Sequence, residues 1–126
     1  MITLANKLSR SESSTGLDVW YKTELNAQYN RESVRSIIGS DVSEGQTYVV
    51  LIPFTEKYRT FKEWSAKDNT YTLRVGDIIF FDTFDGDITS SNINELKSQY
   101  ENCVVKSIVE AENKNGATIQ FKVGGV

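Results

Sequence analysis

Short apolar segments with a two-residue period make up most of the chain, and turn-forming residues separate them. A period of two places alternate side chains on opposite sides of an extended backbone, so such segments predict β-strands. Parallel strands would need long crossover helices between them, and no segment has that pattern. The sequence therefore predicts an all-β fold, a mainly antiparallel small barrel or sandwich, with one or two short helices.

Seven segments fit the strand pattern. Residues 47–54 contain an unbroken apolar run, which is typical of a central strand covered on both faces. Proline cannot donate a ladder hydrogen bond, so the strand should end or reach a sheet edge at Pro53. Gly, Ser, Asp and Glu residues on both sides of Val42 predict turns there. The pair Asn115-Gly116 favours a tight hairpin turn. The expected strands are residues 18–27, 29–38, 47–54, 71–75, 78–81, 103–111 and 117–123.

Two short helices are expected between these strands. Thr60 and Glu63 match the capping-box pattern and predict a helix over residues 61–67. Ser91 and Asn92 can cap a second helix. Its apolar side chains recur at spacings of three and four residues, at Ile93, Leu96 and Tyr100.

The composition argues against catalysis. The chain has no His and only one Cys, Cys103. This removes the commonest general base and metal ligand, and a single Cys forms neither a zinc cage nor an internal disulfide. Cys103 lies in an apolar run, where we expect a buried thiol, and Asp77 after Gly76 is expected to be a turn residue. We therefore expect no enzyme activity, no cofactor and no metal.

The net charge of −3 is concentrated in one part of the sequence. The first 60 residues hold equal numbers of acidic and basic side chains, and residues 75–96 contain no Lys or Arg. An acidic protein repels a phosphate backbone, so sequence-independent nucleic-acid binding is not expected. The candidate acidic loop consists of Asp82, Phe84, Asp85 and Asp87. Its spacing does not meet that of a calcium loop, so a solvated turn is favoured over a metal site.

The sequence predicts two parts, a flexible N-terminal arm and tether at 1–16 and a single β-barrel domain at 17–126. The polar stretch 9–16 has too little apolar surface to offset its ordering entropy. The arm itself fits either a helix or a strand. Trp20, on the polar face of the next segment, is either covered by a neighbouring segment or presented outward as a contact. Together with the apolar side chains of the arm it forms the candidate subunit interface: Ile2, Leu4, Leu8 and Trp20. The chain start lacks a signal-peptide pattern, which predicts cytosolic synthesis.

Five segments, in order, resemble a family of small virion proteins of tailed bacteriophages and prophages. The resemblance covers residues 17–125. The segments are Trp20-Tyr21-Lys22-Thr23, Leu51-Ile52-Pro53-Phe54, Lys62-Glu63-Trp64, Leu73-Arg74-Val75-Gly76-Asp77-Ile78-Ile79 and Val123-Gly124-Gly125. Members look like β-barrel head-completion or head–tail connector proteins that assemble as rings at the neck. The sequence departs from the pattern after Ile79, where Phe80-Phe81-Asp82 opens the acidic loop.

The resemblance implies a structural virion protein that forms a homo-oligomeric ring. DNA would pass through the ring without specific binding, and the neighbours would be portal or adaptor and tail-terminator proteins. The resemblance also implies that the protein is located in the virion, and in the host cytoplasm during assembly. It implies no association with a membrane. The acidic loop would line the lumen or contact a neighbouring ring, and the arm would order on a partner subunit.

Two other functions fit the residues. One is a tail-completion or minor tail protein. The other is a free-standing β-barrel binding module, RNA-binding or regulatory, which salt-dependent binding to nucleic acid would favour.

Overall fold

A computed structural model describes residues 1–9, 16–38, 41–64 and 70–126. They form seven strands and one short helix. The strands are β1 (Ile2–Leu8), β2 (Val19–Leu25), β3 (Gln28–Ile38), β4 (Asp41–Pro53), β5 (Ile78–Phe80), β6 (Asn102–Glu112) and β7 (Thr118–Gly125), and the helix is α1 (Ile93–Gln99). Every pairing between strands is antiparallel, which confirms the predicted all-β class.

The sheet curls because its two edge strands are consecutive in the chain. The strand order is β2-β1-β5-β6-β7-β4-β3. An even number of antiparallel pairings separates β2 from β3, so the two run in the same direction, and only Asn26 and Ala27 lie between them. They therefore act as one strand bent at this link, and the bend folds the two halves of the sheet face to face around a shared core. We call this curled sheet the barrel.

A second bend lies in β6. Its first residues pair with β5, and from Val105 onward it pairs with β7, with a register shift between Val105 and Ser107. Register shifts of this kind bend a strand and increase its twist. Strand β6 therefore turns the corner on the far side of the barrel from the bend at Asn26 and Ala27.

The inward-facing side chains form the main core. The connection between β4 and β5 contributes Tyr71 and Leu73 to it, so this segment helps to fill the interior. Cys103 is buried there, as predicted. The other members come from β1, β2, β4, β5, β6 and β7: Ile2, Leu4, Leu25, Tyr48, Val50, Ile52, Ile79, Val105, Phe121 and Val123.

A second, smaller core lies on the outer side of β1 and β5. Ile78 and Phe80 of β5 point into it, whereas Ile79 points into the barrel, so β5 is buried on both faces. Helix α1 and the loop before it cover this side through Phe84, Ile88, Ile93, Leu96 and Tyr100. The predicted second helix is therefore confirmed, and its apolar side chains pack on the barrel.

Strand β4 is an inner strand but lies next to the edge strand β3, so it is not the central strand, and the prediction that both its faces are covered is also wrong. It pairs with β3 on one side and β7 on the other and ends at Pro53, as expected. Its inward side chains are buried, whereas Val49 and Leu51 on the outer side are only half-buried. Nothing among the described residues packs over them as α1 packs over β5.

Strands β3 and β4 extend beyond the rest of the sheet. They pair continuously from Gln28↔Leu51 to Ile38↔Asp41. Strand β7 pairs with β4 only over Tyr48–Pro53, so residues 32–38 and 41–47 form a two-stranded ribbon. We call this ribbon the projecting hairpin. The turn predicted at 43–45 is wrong because these residues are in β4. Of the turn predicted at 39–41, Asp41 is also in β4, and residues 39–40 lie outside the described residues.

The prediction of a separate N-terminal arm is wrong for residues 2–8. They form β1, which lies between β2 and β5 in the sheet. Ile2 and Leu4 are fully buried in the main core. The arm prediction failed because the segment also contains polar residues, which suggested an exposed segment. Thr3 and Asn6 are in fact buried and donate hydrogen bonds to the carbonyls of Asp82 and Thr72. The tether predicted for 10–15 falls outside the described residues.

Two smaller predictions are also corrected. Residues 71–75 are not a strand, because only Tyr71 forms an isolated bridge, to Tyr58. At the predicted first helix, the described residues make a single turn in which the Trp64 amide donates to the Thr60 carbonyl, and 65–67 lie outside the described residues. The predicted final hairpin is confirmed, with Gly116 at a φ of 80° in its turn.

Candidate functional site

Phe84 anchors the acidic loop, residues 82–87, to the second core. Phe84 is 9% exposed and packs against Phe80 and Tyr100, with ring centroids 5.3 Å and 5.0 Å away. Its burial means that Phe84 does not face a lumen or another ring. Asp82, Asp85 and Asp87 are all exposed. The three acidic residues of the predicted loop therefore present their carboxylates to the surroundings.

A lysine that the sequence did not associate with the acidic loop lies against it. The ammonium of Lys22, on β2, donates to the Phe84 carbonyl at 2.5 Å and lies 5.0 Å from the centre of the Phe84 ring. The loop therefore has a nearby positive charge, although residues 75–96 contain none. The two positions are 62 residues apart, so no local sequence pattern could have revealed this contact.

The loop is held in shape by polar contacts that involve α1. The Asn92 side chain donates to the Asp87 carbonyl at 2.9 Å and accepts from the Thr89 amide at 2.7 Å. Gly86 has a φ of 87°, which a residue with a side chain rarely adopts. Within the described ranges, no group of three or more Asp, Glu, Cys or His side chains is placed to hold a metal ion.

The four residues of the predicted subunit interface lie in different environments in the structure. Ile2 and Leu4 are in the barrel interior and offer no surface to a partner, so this part of the prediction is wrong. Leu8, at the end of β1, is half-buried. Trp20 packs against the second core, and its indole Nε1 is buried without a hydrogen-bond partner among the described residues.

A buried carboxylate joins three parts of the chain. Asp77 is 1% exposed, and its two oxygens accept hydrogen bonds from the Lys7 amide at 3.0 Å, the Asn6 side chain at 2.9 Å and the Arg74 amide at 2.9 Å. Burial raises the pKa of Asp77, and these hydrogen bonds oppose that shift. Asn6 also donates to the Thr72 carbonyl. Asp77 is thus a turn residue, as predicted, that also fixes β1.

The Cys103 thiol is unsuited to nucleophilic catalysis and to metal binding. It is 1% exposed, and burial raises its pKa to about 12. A thiol that stays protonated is a poor nucleophile and a poor metal ligand.

An aromatic stack fixes the base of the projecting hairpin. Phe81, which follows β5, lies between Tyr29 of β3 and Tyr48 of β4, with ring centroids 4.2 Å and 4.8 Å away. Glu101 accepts hydrogen bonds from the Tyr48 hydroxyl at 2.9 Å and from Arg31 at 2.8 Å. Burial is the main cause that raises the pKa of Tyr48, so its hydroxyl stays a donor. The hairpin therefore leaves the barrel from a rigid root.

The outward side chains of β3, β4, β7 and β6 form a surface that we call the outer face. Paired residues share a face, so the register places Gln28, Leu51, Lys122 and Val109 in one row across the four strands. The next row is Asn30, Val49, Gly124 and Ser107, and the shorter row on the other side is Pro53, Gln120 and Ala111. Lys122 is the single charged residue of these rows.

A groove lies at one end of the outer face. Its volume is about 360 Å³, and Met1, Asn26, Ala27, Gln28, Leu51, Pro53 and Gln120 line it. The lining mixes apolar and amide side chains without an ionisable side chain. It therefore offers shape and hydrogen bonds to a bound group.

Within the described ranges, no helix has the length and apolar character needed to cross a lipid bilayer. A family model described as "Family of unknown function (DUF6751)" matches residues 1–126. No curated protein and no solved structure matches the chain.

Proposed function

The chain belongs to the DUF6751 family, and from its own residues we propose that it is a structural virion protein of a tailed bacteriophage. Its role would be that of a head-completion or head–tail connector component, forming a homo-oligomeric ring in the neck through which DNA passes. The neighbours in the neck would be portal or adaptor and tail-terminator proteins. The five-segment resemblance motivates this proposal.

The projecting hairpin is the observation that carries the proposal. Seven residues of each strand extend beyond the sheet, which is about 20 Å at the usual rise per residue. An isolated two-stranded ribbon is only marginally stable in water, and its free edges are templates for pairing with another chain. A ribbon of this length on a rigid root is therefore best explained as a contact between subunits.

The distribution of chemical groups agrees with a scaffold. The one thiol is buried with a raised pKa, and the buried carboxylate Asp77 is saturated by backbone and amide donors. A net charge of −3 gives no general attraction for DNA, which suits a channel that lets a duplex slide.

The test is the oligomeric state with and without the hairpin. Ser33 and Gln46 are register partners, so replacing residues 34–45 with Asn-Gly joins them by a two-residue turn and keeps the rest of β3 and β4 paired. Native mass spectrometry and negative-stain electron microscopy would be applied to both proteins. They would be studied alone and mixed with candidate portal and tail-terminator proteins.

We expect rings from the wild-type chain and monomers from the shortened chain. Near-UV circular dichroism would check that the shortened barrel keeps its aromatic packing. A wild-type protein that stays monomeric, alone and in the mixtures, would contradict the proposal. Salt-dependent binding to RNA or DNA in a shift assay would instead favour the binding-module alternative.

A further inference from the structure

Two exposed features of opposite charge lie on different sides of the barrel and have no ionic partner among the described residues. The first is Lys122, near the middle of the outer face. The second is the pair Asp85 and Asp87 in the acidic loop, which lies over the other side of the barrel with the second core. Lys7 with Asp18 and Arg31 with Glu101 are ion pairs among the described residues, and neither pair includes Lys122, Asp85 or Asp87.

The acidic loop is preorganised for contact. Phe84 fixes its middle in the second core, and Asn92 fixes the backbone at Asp87. Asp85 and Asp87 flank Gly86, whose positive φ sets the turn between them. A loop that is already ordered loses little conformational entropy when it binds, so its two carboxylates are an efficient docking element.

The outer face has a low region and a groove into which such a loop could fit. Gly124 has no side chain, and a Cβ there would lie 2.5 Å from the Ser107 hydroxyl oxygen, so the surface beside Lys122 stays low. The groove of about 360 Å³ begins at Leu51, the β4 neighbour of Lys122. The three rows described above place no carboxylate beside Lys122.

We propose that the acidic loop of one copy docks on the outer face of the next copy, with Asp85 and Asp87 facing Lys122. The occupant is a second copy because the chain itself supplies both complementary charges on separate surfaces. Such a contact joins unlike surfaces, so repeating it produces a closed ring or an open helical filament. The inference rests on the proposed ring function, and it assigns the loop to contact within the ring.

Charge reversal tests the contact. The variants are Lys122→Glu, the double variant Asp85→Lys with Asp87→Lys, and the triple variant that combines all three changes. Lys114→Glu is the matched control, because Lys114 is exposed in the turn between β6 and β7, away from the outer-face rows. The concentration at which half of the protein is assembled would be measured by sedimentation velocity at low and high salt.

We expect each reversal alone to raise the assembly concentration by at least about tenfold, because like charges would then face each other. The triple variant should assemble close to the wild-type concentration, and Lys114→Glu should behave as wild type. Assembly of the wild-type chain should weaken with salt. If the wild-type protein forms rings and Lys122→Glu forms them equally well, or the triple variant fails to recover, this contact is refuted while the ring proposal stands. A wild-type protein that never assembles refutes both.

Discussion

Asp77 is the residue whose replacement tests the architecture most directly. It accepts hydrogen bonds from the Lys7 amide with one oxygen, and from Asn6 and the Arg74 amide with the other. In Asp77→Asn the amide can keep its oxygen toward the two donors. Its NH₂ group then faces the Lys7 amide, so one hydrogen bond to a charged acceptor is lost and a partly buried donor is unpaired. Such a loss costs about 2 kcal/mol.

Urea denaturation monitored by tryptophan fluorescence measures this cost. With a typical denaturant dependence for a small domain, a loss of about 2 kcal/mol lowers the midpoint by about 1 M. Asp77→Ala removes all three acceptor contacts and should cost roughly 3–6 kcal/mol. Glu112→Gln is the matched control, because Glu112 is exposed and its replacement should change stability by less than about 0.5 kcal/mol. Equal midpoints for Asp77→Asn and Glu112→Gln would refute the assigned role.

The pH dependence gives a second readout of the same residue. Burial raises the pKa of Asp77 in the folded state above its ordinary value. Between the ordinary value of the unfolded chain and the raised value, the folded state binds more protons. The stability contributed by Asp77 therefore falls as pH rises through that window. The stability advantage of the wild type over Asp77→Asn should be larger at pH 4 than at pH 8, and an advantage that grows with pH would show that the pKa is instead lowered.

Three further predictions concern packing. Cys103 should not react with a thiol reagent at pH 8 until the protein unfolds, because it is 1% exposed with a pKa of about 12; fast labelling of folded protein would contradict this. Gly125→Ala should lower stability by about 1–3 kcal/mol, since the added Cβ would lie 2.6 Å from the Cys103 sulfur and 2.9 Å from the Val104 carbonyl oxygen. Phe84→Ala should cost about 3 kcal/mol in thermal or urea unfolding and loosen the acidic loop; an unchanged midpoint would show that the ring does not anchor it.

The sequence predicted well wherever a local pattern decides the structure. The pair Asn115-Gly116 lies in the turn between β6 and β7, where the Asn113 side chain accepts from the amides of residues 115 and 117. The spacing of apolar residues after Asn92 placed α1, and Pro53 ends β4. Each of these features depends on residues within one or two turns of the chain, so the sequence contains the whole cause.

The predictions were wrong where contacts with a distant segment of the chain determine the local structure. Residues 2–8 read as an arm because their apolar side chains are few, yet β1 lies between β2 and β5 and bonds through Asn6 to residue 72. Residues 71–75 read as a strand because they alternate, yet Tyr71 and Leu73 enter the core from a connection. Alternation shows that one side is buried, but it does not specify whether a strand partner is present.

The sequence by itself determined the β class, the final hairpin, the buried thiol and the concentration of acidic residues in one loop. Only the tertiary structure decided which apolar side chains are covered and which charges meet. Lys22 reaches Phe84 in the acidic loop, and Asn6 and Lys7 bond to Asp77, across separations of 62 to 71 residues. The physical reason is that alternation along a strand specifies only which side chains share a face. The way in which the sheet curls determines which face lies inside and which distant residues become neighbours.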